Sequence, residues 1–281
     1  MARKQTAQST EMPRVSICGE RIWLCARYHA HVFHYRMPET VAVASVSPFV
    51  PSPLTVKLAL VAALARYGDI EGAQQLTDYL PYLNAPHLRI VPPEGAVAFK
   101  AFIRYVRPPD VRSEEALSQR DGNTGGFYAV SPHIREYALW QGELRVAVHA
   151  PVEAVELMER ALWRVTYLGA KDSQVTCWEV TQSVDLPADL EDLALTAVRT
   201  AQDIPAVRGP IFRLVDLAGE RAPTLERLIP FQRRTGRGNN DYVLGFYTLP
   251  GELHASGRAR IYYRKDRADA VRTGDRTAEN Q

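Results

Sequence analysis

The order of extended and helical patterns along the 281 residues predicts an α+β protein. Two observations carry this. Apolar and aromatic residues alternate with period two in several short segments. Two other stretches repeat apolar residues every three or four positions, as amphipathic or buried helices do.

Residues 14–36, with "RIWLCARYHAHVFHY", alternate and are rich in aromatic and β-branched side chains, so they read as a strand. Pro38 and the Ser/Pro cluster from Ser47 to Pro53 interrupt it. Leu54 to Tyr67 follows as a helix apolar on nearly every face, with Gly68 placed to end it. A polar stretch broken by proline runs to Pro86. Ala96 to Arg107 then alternates cleanly and stops at Pro108-Pro109. Arg112 to Ser131 is polar, holds Gly122, Gly125 and Gly126, and reads as a loop or hairpin tip.

Leu144 to His149 is the next strand, and Pro151 opens a helix, where proline is tolerated. Val152, Val155, Met158, Leu162 and Val165 form its apolar stripe, and "SQVTCWEV" follows Gly169 as a strand. Strand, helix, strand, strand, helix, strand is the order of a ferredoxin-like split βαβ unit, here with insertions near 70–95 and 108–135. Residues 183–205 are acidic and rich in Ala and Leu, as a connector or short helix is. "GPIFRLVDL", "DYVLGFYTL" and "RARIYYR" make 208–264 β-rich, with the basic loop "RRTGRGNN" between them. The expected organisation is a leader over 1–13, a domain over 14–182 and a β-rich part over 183–266. A tail over 267–281 follows, charged and poor in apolar residues; leader and tail are predicted disordered.

Composition narrows the function. The chain is 46% hydrophobic and 23% charged, an ordinary globular balance, with no run approaching the roughly 18–20 apolar residues of a membrane span. The polar leader lacks an apolar signal core, so a cytoplasmic protein is expected. Cys18, Cys25 and Cys177 have no CxxC spacing, which fits a reducing compartment and argues against a disulfide framework or zinc site. Net charge is only +2, yet 29 of the 34 basic residues are arginine. GC-rich coding and selection for phosphate-binding guanidinium forks both produce that bias.

P-loop, dinucleotide, GxSxG and HExxH motifs are absent, so no cofactor is expected. His29 and His31 would lie about 7 Å apart on one strand face and could share a metal, or simply pack. Three segments carry more. Ser52, Thr55 and Lys57 stand at the start of the buried helix, where unpaired N–H groups favour phosphate. Equally, Ser52 caps, Thr55 bonds backbone and Lys57 snorkels. Under the phosphate reading, Lys57→Ala flattens the salt dependence of binding a single-stranded nucleic acid by up to about 0.7 in slope and leaves folding almost unchanged. Arg135 and Tyr137 interleave charge and ring, suiting a nucleic-acid strand or an ordinary edge strand. Gly169 and Lys171 sit in the helix-to-strand turn, allowing close ligand approach or a plain left-handed helix end.

Together "PSPLTVKLALVAAL", "IREYALWQGELRVAV" and "RVTYLGAKDSQV" resemble the Cas-five subunit family of type I CRISPR Cascade complexes, in the RAMP superfamily. The resemblance covers roughly residues 15–182 and is nearest subtype I-A, with I-B and I-D also compatible. It implies a ferredoxin-like, RRM-like domain with an inserted β-hairpin thumb at about 100–130, and a smaller β-rich C-terminal part. It implies a non-catalytic subunit that holds the 5′ handle of the crRNA and caps the filament of backbone (Cas-seven-type) subunits. That subunit also contacts the large (Cas-eight-type) subunit and meets target DNA indirectly. Carried over by position, Ser52, Thr55, Lys57, the thumb residues Lys100, Arg104, Arg107 and Arg112, with Arg135, Tyr137, Gly169 and Lys171, would face RNA. Arg233, Arg234 and Arg237 of the basic loop would join them. The thumb, Lys100 to Gly126, is expected to order only with its partners. In the I-C branch this subunit cuts precursor crRNA with Tyr, Lys and His; here no Lys-His dipeptide follows the thumb, and His133 stands beyond the glycine loop.

Overall fold

The computed structural model describes residues 20–35, 44–84, 86–107, 129–200, 202–203, 209–217, 225, 242–256 and 259–265. For 44–45, 104–107, 129–133 and 256 only the backbone is described. The expected leader, most of the thumb with Arg112, the loop bearing Arg233, Arg234 and Arg237, and the tail lie outside these residues.

The fold is mixed α/β with antiparallel sheets. Strand β1 (Arg21–His29) sits inside a four-stranded sheet with β3 (Leu88–Val91), β6 (Leu144–Pro151) and β7 (Thr176–Ser183), in the order β3-β6-β1-β7. Every neighbouring pair is antiparallel. Helices α1 (Pro53–Arg66) and α3 (Val155–Arg164) pack together on one face, burying Leu24, Ala26, Tyr28, Leu60, Leu64, Met158 and Leu162. The Tyr28 hydroxyl, inside that core, donates to the Leu162 carbonyl at 2.8 Å. On the other face Leu190, Leu193 and Ala194 cover Trp23, Cys25, Val91 and Ala147, with Leu190 on the short helix α4 (Ala188–Asp192).

The start of α1 follows from its sequence. Pro53 takes the first turn, where its missing N–H is no loss, and the Ser52 hydroxyl accepts from Thr55 N at 3.1 Å. The helix ends at Tyr67, and Gly68 follows with φ 80°.

Two elements differ from the sequence expectation. The polar stretch after Gly68 holds a second helix, α2 (Ile70–Tyr79), capped by Asp69, whose carboxylate accepts from Gly72 N at 3.0 Å. Its buried Ala73, Leu76 and Tyr79 form a narrow stripe in a mostly polar segment, too few for the apolar period to stand out. Second, the strong alternation of Ala96 to Arg107 does not supply the second strand of the four-stranded sheet. Short β3 does, just before Pro92-Pro93. The alternating segment is β4 (Gly95–Arg107), which pairs along its whole length with β5 (Ala129–Gln141). This hairpin belongs to a five-stranded sheet ordered β11-β12-β4-β5-β2, with β2 (Ala44–Ser45), β11 (Glu252–Ser256) and β12 (Ala259–Tyr263). A third sheet holds β8 (Thr196–Val198), β10 (Tyr242–Thr248) and β9 (Ile211–Leu217), and β9 lies against α1. Residues beyond 183 thus share the main core, through Phe212, Leu214, Leu249 and Tyr262.

Among the described residues no helix is long and apolar enough to cross a membrane, and no group of His, Cys, Asp or Glu is arranged to hold a metal. His29 and His31 meet edge to face, with ring centres 5.0 Å apart. Burial pushes the thiols of Cys25 and Cys177 up to about 11, with Asp189 adding to the effect at Cys25. Both should therefore alkylate in the native protein at pH 8 roughly a hundredfold more slowly than an open thiol. Peptide mass spectrometry after timed iodoacetamide treatment measures this. Labelling of either cysteine at the rate of the unfolded chain would contradict the burial described here.

Candidate nucleic-acid interface

The chain leaves β1 and runs as Phe33-His34-Tyr35 along the side of β5. Phe33 exchanges two backbone bonds of 2.8 Å with Ala138. His34 N donates to Ser173 Oγ at 2.8 Å, and Ser173 Oγ returns a bond to His34 O at 2.6 Å. His34 Nδ1 lies 2.8 Å from the Glu136 carbonyl, which only accepts, so Nδ1 carries the proton. Tyr35 N donates to Ser47 Oγ at 3.0 Å. The segment is thereby tied to the turn after α3, to β5 and to the Ser/Pro entry of α1.

One carboxylate organises the region beneath. Glu136 is 2% exposed. Its Oε2 accepts from Ser47 N at 2.7 Å and from Arg260 Nη2 at 2.5 Å, and its Oε1 accepts from Arg260 Nε at 3.2 Å. Arg260 Nη2 also donates to the Ser47 carbonyl at 2.6 Å. Strand β5, strand β12 and the α1 entry therefore meet at a single buried charge pair.

Above it, the α1 entry and the turn after α3 converge on the Tyr35 ring, and β5 joins them through Asp172. A Cβ added at Gly169, where φ is +82°, would lie 3.1 Å from that ring and 3.4 Å from Thr55 Cγ2. The left-handed backbone favours glycine here, and the Tyr35 ring leaves little room for a side chain. Ser52 Oγ donates toward the Tyr35 hydroxyl at 3.4 Å. Asp172, two residues past Ala170 in the same turn, accepts from Arg135 Nη1 at 2.7 Å and from the Tyr137 hydroxyl at 2.9 Å. Burial, followed by Asp172, pushes the Tyr137 hydroxyl up to about 12, so it stays protonated and donates. Gly169, Lys171 and Asp172 are exposed, and Arg135 and Tyr137 are half-buried.

The helix start itself differs from the open seat that the sequence suggests. Ser52, Thr55 and Lys57 are 0%, 7% and 1% exposed. The two hydroxyls face each other at 2.8 Å, and Lys57 Nζ is held by Asp216 of β9 at 2.6 Å. Lys57 neither snorkels to water nor faces a surface; β9 closes over it. Burial pulls its ammonium pKa down, and Asp216 opposes that.

Lys100 is exposed and sits directly opposite Glu136, so it occupies the other hairpin face from Arg135 and Tyr137. The backbones of Arg104 and Arg107 pair with Pro132 and Ala129, and that of His133 pairs with Ile103. Sequence reasoning missed Tyr35, Glu136 and Asp172. Tyr35 ends the alternating run and Asp172 adjoins Lys171, so both lay next to residues singled out. Glu136 has no local signal, since its partner Arg260 is 124 positions away.

The arrangement offers one guanidinium, one exposed ammonium, two tyrosine rings and an exposed glycine backbone around a turn. Such a surface can neutralise phosphate and stack bases. Asp172 offsets part of the charge.

No family model matches the chain, and no curated protein matches it. Among solved structures it is similar to a CRISPR protein from Archaeoglobus fulgidus, with 16% identity over 87% of this chain and 92% of that one, at a TM-score of 0.34. It is also similar to a chain of a CRISPR RNA-guided surveillance complex, with 14% identity over 69% of this chain and 76% of that one, again at 0.34. At such identity and score the likeness carries no functional conclusion.

Proposed function

We propose that the protein is a non-catalytic guide-RNA-binding subunit of a type I CRISPR effector complex, of the Cas-five kind. In this reading it grips the repeat-derived 5′ handle at the Tyr35 surface and caps the backbone filament in the cytoplasm. The observation that carries the reading is the convergence there. The three segments whose sequences resemble that family lie far apart in the chain and meet in one region, the helix entry and the glycine turn against the Tyr35 ring and β5 through Asp172 of that turn. The antiparallel order β3-β6-β1-β7, with α1 and α3 on one face, is that expected of a ferredoxin-like unit. The β4–β5 hairpin stands where an inserted thumb is expected. Because Asp216 holds Lys57, this reading assigns the phosphate contact to Lys171 and Arg135 rather than to the helix start.

Binding of a repeat-derived RNA measured across a salt series tests this. Tyr137→Ala is expected to weaken binding by about 1–3 kcal/mol through lost stacking. Lys171→Ala should lower the slope of log affinity against log salt by about 0.7, with little dependence on base sequence. Asp172→Asn should strengthen binding, because it releases Arg135 from its carboxylate. Unchanged affinity in all three variants would remove this surface from the reading. Incubation with repeat RNA in EDTA should leave the RNA intact. Cleavage at one site, lost in His133→Ala, would instead make the protein a metal-independent endoribonuclease of the I-C kind, with a histidine as general base.

A further inference from the structure

A second basic group lies at the far end of β1, on the sheet face away from α1 and α3. The backbone bond from His149 N to His87 O, 2.9 Å, extends the β3–β6 ladder and sets these residues opposite each other. Trp23 is the β1 partner of His149, and their rings stack at 4.4 Å with planes 5° apart. His87 Nδ1 and His149 Nδ1 are 3.2 Å apart, so one ring donates to the other and at least one stays neutral while they touch. Arg89 lies two residues along β3 from His87, and Arg21 two residues before Trp23 on β1. Strand alternation puts all five side chains on one face. The imidazole pair is thus bracketed by two guanidinium groups.

Among the described residues neither Arg21 nor Arg89 has a carboxylate partner. Arg89 Nε is buried with no hydrogen-bond partner among the described residues, which is unfavourable for a charged donor. The charges bearing on the imidazoles are all cationic. Burial first, and then Arg21, His149 and Arg89, hold His87 below the usual histidine range; burial and Arg21 do the same for His149. The four groups are half-buried, so a small ligand can reach them while its charge is poorly screened.

We propose that Arg21, His87, Arg89 and His149 form a binding site for a phosphate-class oxyanion. Such a ligand accepts from the Arg89 fork and from the one imidazole N–H not shared between the rings, and supplies the missing negative charge. The phosphate can be free, a terminal monoester or a backbone phosphodiester. The site lies at the Trp23 end of β1, whereas the chain leaves for the Tyr35 surface from the other end, past His29, and the site does not depend on that surface.

The test is histidine-selective NMR of the full chain, with the His87 and His149 signals assigned by His87→Gln and His149→Gln. Titration with inorganic phosphate should shift these two imidazoles saturably, while sodium chloride at matched ionic strength should not. Arg89→Gln should weaken the response at least about tenfold, and Arg89→Lys should retain most of it. A matched pair of short RNAs, with and without a 5′-phosphate, names the source. A response to both assigns a phosphodiester, and a response confined to the phosphorylated strand assigns a monoester. A linear response equal to that of chloride, or one indifferent to Arg89→Gln, would overturn the site. Tyr137→Ala should leave the phosphate response intact, so failure at either surface can be told from failure at the other.

Discussion

Lys57→Ala is expected to destabilise the protein by about 3–5 kcal/mol, because it leaves the Asp216 carboxylate without its counter-charge. The figure belongs near its lower end, since the Asp216 side chain keeps 16% of its exposure and Leu217 N donates to its Oδ1 at 2.8 Å. This reverses the expectation from sequence, in which a first-turn lysine matters to RNA and hardly to folding. The decisive control is Lys57→Met combined with Asp216→Leu. Removing both charges should recover most of the loss, because the ammonium is almost wholly desolvated. Urea denaturation of the two variants and the parent gives the answer. A loss below about 1 kcal/mol in Lys57→Ala would show that the pair is not held as described.

Glu136→Ala should be of similar size. It strands Arg260 and removes the acceptor of Ser47 N, so about 3–5 kcal/mol and a fall in Tm of roughly 6–15 °C are expected. Glu136→Gln should cost less, because the amide oxygen still accepts from one of these donors. The same residue underlies the candidate interface. Its carbonyl holds His34, and its neighbours in sequence are Arg135 and Tyr137. Glu136→Ala should therefore weaken RNA binding even at temperatures where the variant stays folded. Full RNA affinity in a folded Glu136→Ala would separate the buried knot from the surface above it.

Much of the four-stranded layer was legible locally. Strand β1, helix α1, strand β6, helix α3 and strand β7 each carry their own period, cap or proline within a few residues. Strand β3 was not, because four residues before two prolines carry little pattern, and the stronger alternation of β4 drew the assignment. Whether an alternating segment joins one sheet or another depends on its partner, and β4 finds β12 from the far end of the chain. The candidate site divides the same way. Gly169 and Lys171 announce a turn, and Arg135 and Tyr137 announce a mixed strand. That Asp172 would tie those two together, or that Asp216 would cover Lys57, is decided by the packing of distant elements.

The distance between Lys57 and Asp216, 159 positions, also has a meaning in time. At roughly 5–20 residues per second of synthesis, the lysine waits about 8–30 s for its counter-ion, and β4 presents an open edge until β12 emerges. Over that interval α1 lacks the strand that closes over Lys57, and β4 stays free to pair with a neighbour's strand. Ribosome-bound fragments ending before Asp216 should accordingly be protease-sensitive across α1 and prone to self-association, and release past Tyr263 should relieve both.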